Sequence, residues 1–441
     1  MDDMLFGTSG IRGIYGKDIT EKLACSVAHA FAESNVAIGR DTRSSGQALF
    51  HAAASGVLSK GYNTIDLGIV PTPTVALATK KHNIRGIMIT ASHNPEEYNG
   101  LKLLENGKEI SKEQEKKITA QMEKEGFSGK WDMHSASMRD DAIIDDHKSL
   151  IKKLIDEKSI AKKKPKVIVD CNGAGAAITP YLLSDLGCHV VSINAELQGF
   201  NRLPEPTANN LQKTLAIVRA TAADFGIAHD GDADRAIIID ETGQLIGLDV
   251  QLALAIEQEL EHAKNKLILT TVEASLLVRE TIERCGGKYE ISPVGSTYLS
   301  HKLEKANAIF AGEPCGEYIY SKGVPCPDGI LVAAKFAQLF ADKGHFSNLA
   351  KRFKPYPMVR EKFACIKKPK ADVIEKIKQE ISIEGKRNDE DGMRIDEKDG
   401  WFLIRASGTE PAIRLTAEYK DKKKLEERAV KLRAIIQSSI L

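Results

Sequence analysis

Three stretches of the chain repeat one pattern of apolar and polar residues. Each begins with a short apolar run, continues with apolar residues at helical spacing, reaches a glycine and ends in a second apolar run. Continuous apolar runs are typical of buried strands, and glycine commonly follows the last turn of a helix. The pattern therefore predicts three strand–helix–strand units. Their first strands are residues 36–39, 167–170 and 267–270, and their last strands are 62–67, 189–193 and 289–291.

The units recur at domain-sized intervals along a chain of 441 residues, which is too long for one ordinary core. We therefore expect three similar α/β domains. The segment after Pro357 alternates short strands with helices and ends in a charged amphipathic helix, which predicts a fourth domain. Polar and proline-containing segments separate the pieces. The predicted domains are 1–145, 146–245, 246–356 and 357–441.

Charge and cysteine content exclude several classes of protein. The 62 basic and 61 acidic side chains nearly cancel, so no overall field favours nucleic acid or an anionic membrane. No apolar run approaches transmembrane length, and no signal peptide is expected at the start. The seven cysteines are scattered without CxxC spacing. We expect a cytoplasmic protein without zinc or a disulfide framework.

The densest chemical signal is the segment 230–235, in which Asp230, Asp232 and Asp234 alternate with small residues and Arg235 follows. Alternate side chains of an extended loop point the same way, so the three carboxylates can converge on one hard cation. An EF-hand calcium loop is the rival interpretation, but Arg235 occupies the position where that loop needs glycine. An acidic turn without a ligand also stays open.

A second signal lies at the end of the apolar run 87–90. Ser92 follows it, and Asn94-Pro95 predicts a turn, so the serine lies where a strand gives way to a loop. Active groups of α/β sheets collect at such strand ends. The G-x-S-x-G elbow of acyl-transfer enzymes is absent, and neighbouring side chains diverge along an extended backbone, so His93 is not automatically a base. An ordinary turn serine is the alternative.

Three loops carry groups that could bind an anion or sugar hydroxyls, although ordinary surface turns are the alternative. Residues 405–411 follow a predicted strand and combine hydroxyls, a glycine and Arg405, with Arg414 nearby, as an anion site requires. Residues 6–13 form a similar but weaker loop. Residues 312–318 hold carboxylates that can accept hydrogen bonds from sugar hydroxyls. Gly173-Ala174-Gly175 lacks the third glycine of a dinucleotide fingerprint, so we interpret it as close helix–strand packing.

Taken together and in this order, the motifs resemble those of the α-D-phosphohexomutase family. Residues 90–95 match its phosphoserine loop, 230–234 its magnesium loop, 312–318 its sugar-binding loop and 405–411 its phosphate-binding loop. One such match could arise by chance, but four in sequence could hardly do so. The resemblance implies an α/β fold in which three similar α/β domains with mixed sheets and a smaller C-terminal α+β domain surround a central cleft.

The resemblance also implies roles for individual residues. Ser92 would be the phosphoserine and, with Asp230, Asp232 and Asp234, would bind one Mg²⁺. Arg12 and Lys102 match basic active-site positions, and their charge would offset the phosphoserine and the aspartates. The remaining implied contacts are with substrate, namely Ser9, Arg235, Glu313, Cys315, Arg405, Ser407, Gly408, Thr409 and Arg414.

The implied reaction moves a phosphoryl group between the 6- and 1-positions of a hexose phosphate through a hexose 1,6-bisphosphate. Many family members carry serine where this chain has Cys315 and histidine where it has Glu317, which puts an acid–base role for that loop in doubt. The opening segment 5–13 resembles the branch of the family that acts on glucosamine phosphate, which implies that substrate, with mannose and glucose phosphates close behind. A non-catalytic protein that binds sugar phosphate or calcium is the alternative, and the protein is expected as a monomer or homodimer.

Overall fold

The computed structural model describes residues 5–7, 9–124, 132–408 and 410–441. Within these ranges the chain forms four sheets, one for each predicted domain. The sheets of the first three domains mix parallel and antiparallel strands, and the fourth sheet is antiparallel throughout. The predicted fold class, three α/β domains with mixed sheets and a smaller α+β domain, is confirmed.

Domain 1 is built on a seven-stranded sheet in the order β1-β5-β4-β2-β3-β7, with β6 paired to β5. Strands β2, β3, β4 and β7 are parallel, and β5 runs against β4 and β1. The elements are β1 (Ile11–Ile14), α1 (Glu21–Phe31), β2 (Val36–Arg40), α2 (Gly46–Leu58), β3 (Thr64–Ile69), α3 (Thr72–His82), β4 (Arg85–Ile89), β5 (Tyr98–Glu105), β6 (Lys108–Glu109), α4 (Lys112–Lys124), β7 (Ser137–Arg139) and α5 (Ile143–Lys152).

Domain 2 has a four-stranded sheet in the order β11-β10-β8-β9, in which only β11 is antiparallel to its neighbour. The helix of this unit was expected directly after the first strand. A 3₁₀ turn at Ala174–Ala177 intervenes, and Pro180 lies in the first turn of the helix. The elements are α6 (Glu157–Lys163), β8 (Lys166–Asp170), α7 (Thr179–Asp185), β9 (His189–Ile193), α8 (Gln212–Ala220), β10 (Phe225–His229) and β11 (Ala236–Ile239).

Domain 3 repeats this design with the strand order β13-β12-β14-β15. Its longest helix begins at Asp328, whose carboxylate accepts the N–H groups of Ile330 and Leu331 and so caps the first turn. The elements are α9 (Leu248–Leu260), β12 (Leu267–Thr271), α10 (Leu276–Arg284), β13 (Lys288–Ser292), α11 (Ser296–Ala306), β14 (Phe310–Gly312), β15 (Tyr318–Tyr320), α12 (Gly329–Lys343) and α13 (Phe346–Ala350).

Domain 4 is a five-stranded antiparallel sheet in the order β16-β20-β19-β18-β17 with two helices packed on it. The expected terminal helix begins after Asp421, whose side chain accepts the N–H of Lys424. The elements are β16 (Met358–Ala364), α14 (Lys370–Glu380), β17 (Lys386–Asn388), β18 (Met393–Glu397), β19 (Gly400–Ala406), β20 (Ala412–Tyr419) and α15 (Lys422–Ile440).

Buried contacts join neighbouring domains. One apolar cluster runs continuously from the sheet of domain 2 into the helices of domain 3. Between domains 1 and 3, the imidazole of buried His147 lies 2.9 Å from Thr74 Oγ1 and 3.0 Å from Asp328 Oδ2. Between domains 3 and 4, Trp401 packs on Val272. Loops from all four domains are therefore held next to one another.

Among the described residues, no helix combines the length and apolar character needed to cross a membrane. All seven cysteines are free thiols, as their scattered positions predicted. The segment 108–130 is rich in lysine and glutamate. It holds β6 and α4, and its residues 125–130 lie outside the described part of the chain.

Candidate active site

The aspartate segment connects β10 to β11 and is a turn, not the extended loop that the sequence predicted. Ala233 has φ +52°, and its N–H donates to the carbonyl of Asp230 at 3.3 Å. The small side chain tolerates this left-handed conformation, which bulkier residues avoid. The carboxylates converge because the backbone curls around them, and alternation along a strand is not the cause.

The three aspartate carboxylates nevertheless meet, because one oxygen from each lies within 4.8 Å of the others. All three side chains are buried. The ammonium of Lys102, on β5 of domain 1, lies 2.8 Å from Asp232 and 2.6 Å from Asp234. Domain 1 thus supplies the cation that faces the carboxylates of domain 2.

Thr72 at the first turn of α3 also reaches this cluster, and no local sequence pattern predicted this contact. Its hydroxyl donates to Asp232 Oδ2 at 2.5 Å, and its N–H donates to the Asp232 carbonyl at 3.0 Å. The other oxygens of two aspartates, Asp232 Oδ1 and Asp234 Oδ1, are buried without a hydrogen-bond partner among the described residues.

Buried, unpaired carboxylate oxygens are costly unless a cation meets them. Oxygen donors in this number and this proximity suit a hard divalent ion such as Mg²⁺. The residues present therefore fit the expected metal.

The protonation of the cluster follows from its crowding. Burial and the charge of Asp232 raise the pKa of Asp234 to about 6. Burial, together with Asp234, also raises the pKa of Asp230. Burial opposes ionisation of Asp232 as well, but Lys102 outweighs it and lowers the pKa of that carboxyl. The crowding thus favours a bound cation over three free charges.

Ser92 lies in the loop between β4 and β5 and faces this cluster across the boundary between domains 1 and 2. Its Oγ donates to Asp230 Oδ2 at 2.8 Å, and the side chain is only 1% exposed. His93 Nδ1 lies 3.3 Å from the same hydroxyl. Burial and the charges of Arg235 and Arg12 lower the pKa of His93 to about 2, so this imidazole is neutral at physiological pH.

The backbone at Ser92 takes an unusual conformation and is tied on both sides. Its φ is +51°, a region that residues other than glycine rarely adopt. Its N–H donates to Thr90 Oγ1 at 2.8 Å, and its carbonyl accepts from the guanidinium of Arg43 at 2.9 Å. Asp41 accepts from both partners, from Thr90 at 2.6 Å and from Arg43 at 3.0 Å.

The sequence analysis missed Asp41 and Arg43. Both follow β2, whose end pairs in parallel with the end of β4 at Arg40 and Ile89. Two adjacent parallel strands place their following loops side by side. An acidic and a basic residue directly after strand β2 were therefore a usable signal.

Two glycines let the loops approach each other closely. A Cβ added to Gly231 would lie 2.6 Å from the Ser92 carbonyl oxygen. A Cβ on Gly173, whose φ is +148°, would lie 2.3 Å from the Gly231 carbonyl oxygen. Gly173 therefore packs on the aspartate loop, while Gly175 packs on His229 as helix–strand packing would require.

Arg12 and Ser9 lie at the start of the chain beside β5. The guanidinium of Arg12 donates to Ser9 Oγ at 3.1 Å, and Ser9 Oγ donates to Glu109 at 2.7 Å. The Nε atom of Arg12 is buried and, within the described part of the chain, has no partner. Arg12 contributes to the charge around both His93 and Lys102, which places it with the cluster.

The loop that follows β14 brings Glu313, Cys315 and Glu317 together, with one side-chain donor atom of each within 4.8 Å of the others. Arg235 donates to Glu317 Oε1 through Nε at 2.9 Å and through a terminal nitrogen at 2.7 Å. Burial opposes the charge on Glu317, but Arg235 lowers its pKa. Arg235 thus links the aspartate loop to domain 3 and already has an acidic partner.

The C-terminal loop connects β19 to β20. Arg405 donates to Glu273 of domain 3 at 3.0 Å, and its partner across the strands is Arg414. Ser407 Oγ and Arg414 Nε are buried without partners among the described residues, and Gly408 is exposed. Thr409, which was expected beside them, lies outside the described residues. Two cations and an unsatisfied hydroxyl at one turn can hold a phosphate.

The fold and this site together define a phosphoryl-transferring isomerase of sugar phosphates. The chain belongs to the phosphoglucomutase/phosphomannomutase family, which is the α-D-phosphohexomutase family that the motifs indicated. The matches cover α/β/α domain I at residues 3–129, domain II at 145–243, domain III at 249–356 and the C-terminal domain at 360–435.

Relatives of known name support this membership along nearly the whole chain. A probable phosphoglucosamine mutase of Methanococcoides burtonii is 38% identical over 95% of each chain. A phosphoglucomutase/phosphomannomutase of Thermococcus kodakarensis is 40% identical over 96% of each. The crystal structure of a family protein from Burkholderia thailandensis superposes with a TM-score of 0.87, at 25% identity, over 100% of this chain and 98% of that one.

The raised pKa of Glu313 should make the free energy of unfolding depend on pH. Burial and the neighbouring Glu317 raise the pKa of Glu313 from 4.5 to about 8. Between pH 4.5 and pH 8 the folded protein keeps a proton on Glu313 that the unfolded chain has released. The contribution of this proton to the free energy of unfolding is therefore complete below pH 4.5 and is lost as pH rises through 8. We expect Glu313→Gln to flatten the fall of unfolding free energy between pH 5.5 and 7.5, by at most about 1.4 kcal/mol per pH unit.

Urea denaturation at several pH values measures this slope. Glu283→Gln, at an exposed position of the same domain, is the control and should keep the wild-type slope. Equal slopes for wild type and Glu313→Gln would contradict a proton on Glu313.

Proposed function

We propose that Ser92 carries the phosphoryl group of a phosphoglucosamine mutase that interconverts glucosamine 6-phosphate and glucosamine 1-phosphate. The observation that carries the proposal is the Ser92 hydroxyl held 2.8 Å from Asp230 in a buried cluster of carboxylates. A serine that merely shaped a turn would not need to face three aspartates at the boundary between two domains. A phosphorylated serine there would complete a metal site.

Each half-reaction exchanges one bond for another. The Oγ–P bond of phosphorylated Ser92 breaks while a sugar hydroxyl forms a new O–P bond, and the proton that this hydroxyl loses is balanced by the proton that Ser92 Oγ gains, which yields a hexose 1,6-bisphosphate and free Ser92. The bisphosphate then turns over in the cleft, and its other phosphoryl group returns to Ser92. Phosphoryl transfer needs chiefly positioning and charge stabilisation, which Lys102, Arg12 and the aspartate loop offer.

We assign Asp230, Asp232 and Asp234 as ligands of one Mg²⁺, with the phosphate on Ser92 as a further ligand. Bound there, the ion would neutralise charge on the transferring phosphoryl group. The two buried aspartate oxygens without partners support this assignment. Lys102 would then be shared between the aspartates and the phosphoryl group.

Domain 4 would hold the phosphate that is not being transferred, through Arg405, Ser407, Gly408, Thr409 and Arg414. Arg405 now contacts Glu273, so a bound phosphate would have to replace that carboxylate. We infer that domain 4 shifts as substrate enters and leaves, about the segment that contains Pro355 and Pro357. We also propose that the boundaries between the four domains lie near residues 145, 245 and 356.

Ser9, Arg235, Glu313 and Cys315 are proposed as contacts to the sugar. Glu317 in this loop stays ionised, and its negative charge suits an amino sugar, whose ammonium is cationic, better than a neutral hexose. The mannose and glucose phosphates are the second candidate substrates, because the Thermococcus relative carries that name. We further propose a cytoplasmic monomer or homodimer that binds neither nucleic acid nor membrane.

Loss of the Ser92 hydroxyl should abolish turnover. Incubation of wild type with glucose 1,6-bisphosphate should add one phosphoryl group, mapped by peptide mass spectrometry to Ser92. Ser92→Ala should take up none and lose activity by at least about 10³-fold, as expected when a covalent carrier is removed. Ser45→Ala changes a serine of domain 1 outside the aspartate cluster, and this variant should still gain one phosphoryl group on Ser92. Full activity in Ser92→Ala would refute the mechanism.

Metal binding can be measured without turnover. Titration calorimetry should show one Mg²⁺ site in the wild type, and Asp232→Asn should weaken it by at least about tenfold because it removes a charged ligand. Asp240→Asn is the matched control, since Asp240 is a buried aspartate that accepts only within its own turn. Equal affinities in both variants would argue against the assigned ligands.

Substrate choice is tested by coupled assays with glucosamine, mannose and glucose 6-phosphates at equal concentrations. We expect the highest kcat/KM for glucosamine 6-phosphate. Glu317→Gln should reduce this preference, because it removes the negative charge that would favour an ammonium. Equal kcat/KM values for the three sugars would defeat the assignment to glucosamine while leaving the mutase reaction intact.

A further inference from the structure

The guanidinium of Arg43 is the hub of the loop that carries Ser92. Arg43 is buried, and its side chain donates five hydrogen bonds, one of them to Asp41. The other four acceptors are backbone carbonyl oxygens between the end of β4 and the first residue of β5, namely those of Ser92, Asn94, Pro95 and Tyr98. The ring of Phe200, from domain 2, covers the guanidinium at 4.9 Å from its centroid.

Two backbone hydrogen bonds within the loop also shape it, from the Asn94 N–H to the Ala91 carbonyl at 3.0 Å and from the Tyr98 N–H to the Pro95 carbonyl at 3.1 Å. It is irregular and contains a non-glycine residue at φ +51°. Buried carbonyl groups without donors destabilise a conformation, so the arrangement of Arg43 and its four acceptors favours this one conformation over others. A planar guanidinium can serve several acceptors in fixed directions, which a lysine ammonium cannot do.

The same network fixes the other side of Ser92. Asp41 accepts from both Arg43 and Thr90, and Thr90 Oγ1 accepts the N–H of Ser92. Both backbone groups of Ser92 are therefore tied to one carboxylate. With the peptide units held, the Cα–Cβ bond of Ser92 keeps one direction, from which Oγ reaches Asp230 Oδ2 at 2.8 Å.

Arg43 also lies where domains 1 and 2 meet. Thr42, its neighbour, exchanges two hydrogen bonds with Gly199, in the same domain 2 loop as Phe200. The loop that carries Ser92 and the domain that carries the aspartates are thus set relative to each other by residues 41–43.

We propose that Arg43, acting with Asp41 and Thr90, is the positioning residue that aims Ser92 at the aspartate cluster during phosphoryl transfer. The inference rests on the proposed role of Ser92. Among the described residues, the side chain of Arg43 forms hydrogen bonds only with Asp41 and with the segment 92–98, so it should affect transfer and leave substrate binding largely unchanged.

The test compares Arg43→Lys with wild type. A misplacement of about 1 Å can slow a reaction by about 10²-fold, so we expect a fall in kcat of about that size with KM within about twofold. The rate at which glucose 1,6-bisphosphate phosphorylates Ser92, followed by intact mass, should fall by the same factor. Thr90→Val removes the hydroxyl on the other side of Ser92 and should act in the same direction.

Arg85→Lys is the matched control. Arg85 also lies in domain 1, donates to a backbone carbonyl and to carboxylates, and covers the ring of Phe31, but it is far along the sheet from the Ser92 loop. Arg85→Lys should lower the melting temperature about as much as Arg43→Lys does, without slowing the phosphorylation of Ser92. The comparison therefore separates positioning from general packing.

The outcomes are distinct. Wild-type phosphorylation rates in Arg43→Lys would overturn the inference, and so would equal losses of kcat in Arg43→Lys and Arg85→Lys. If Arg43→Lys does not fold, Thr90→Val decides, and a wild-type rate in that variant would overturn the inference. Wild-type protein that never gains phosphoryl on Ser92 would instead refute the proposed function.

Discussion

Mutual repulsion of buried carboxylates is the constraint around which this protein is arranged. Three aspartate side chains converge within 4.8 Å in the interior, where water cannot screen them. Neighbouring elements place cations or hydrogen-bond donors near that charge. Domain 1 contributes the ammonium of Lys102 and the hydroxyl of Thr72, and Arg235 extends from the aspartate loop to Glu317 of domain 3. The groups that form the site therefore also connect neighbouring domains.

This arrangement explains why the site lies between domains and not within one. A single α/β domain offers functional groups at one edge of its sheet. Here the edge of domain 1 presents Ser92, the edge of domain 2 presents the aspartates, and the loop after β14 comes from domain 3. Polar contacts such as Thr42 with Gly199 and His147 with Asp328 set the edges relative to one another. The described contacts of Arg405 with Glu273 join domain 4 to the same region.

Local patterns were enough to predict the three α/β units, the aspartate cluster and the loop at the end of strand β4 that carries Ser92. Their signals lie within a few neighbouring residues. Arg43 and Thr72 escaped prediction because their partners are distant, since Thr72 and Asp232 are 160 positions apart. The turn at Ala233 escaped for another reason, because spacing alone cannot distinguish an extended loop from a curled one. The roles of the individual side chains stay predictions.

The close approach at Gly173 and Gly231 has a consequence for how this sequence can drift. Neither residue has a side chain, yet a single methyl group at either would press on a carbonyl oxygen 2.3 or 2.6 Å away. Random substitution should therefore be tolerated at many exposed positions near the site but not at these two. The positions that tolerate no substitution should therefore include these two glycines of the backbone as well as the three aspartates.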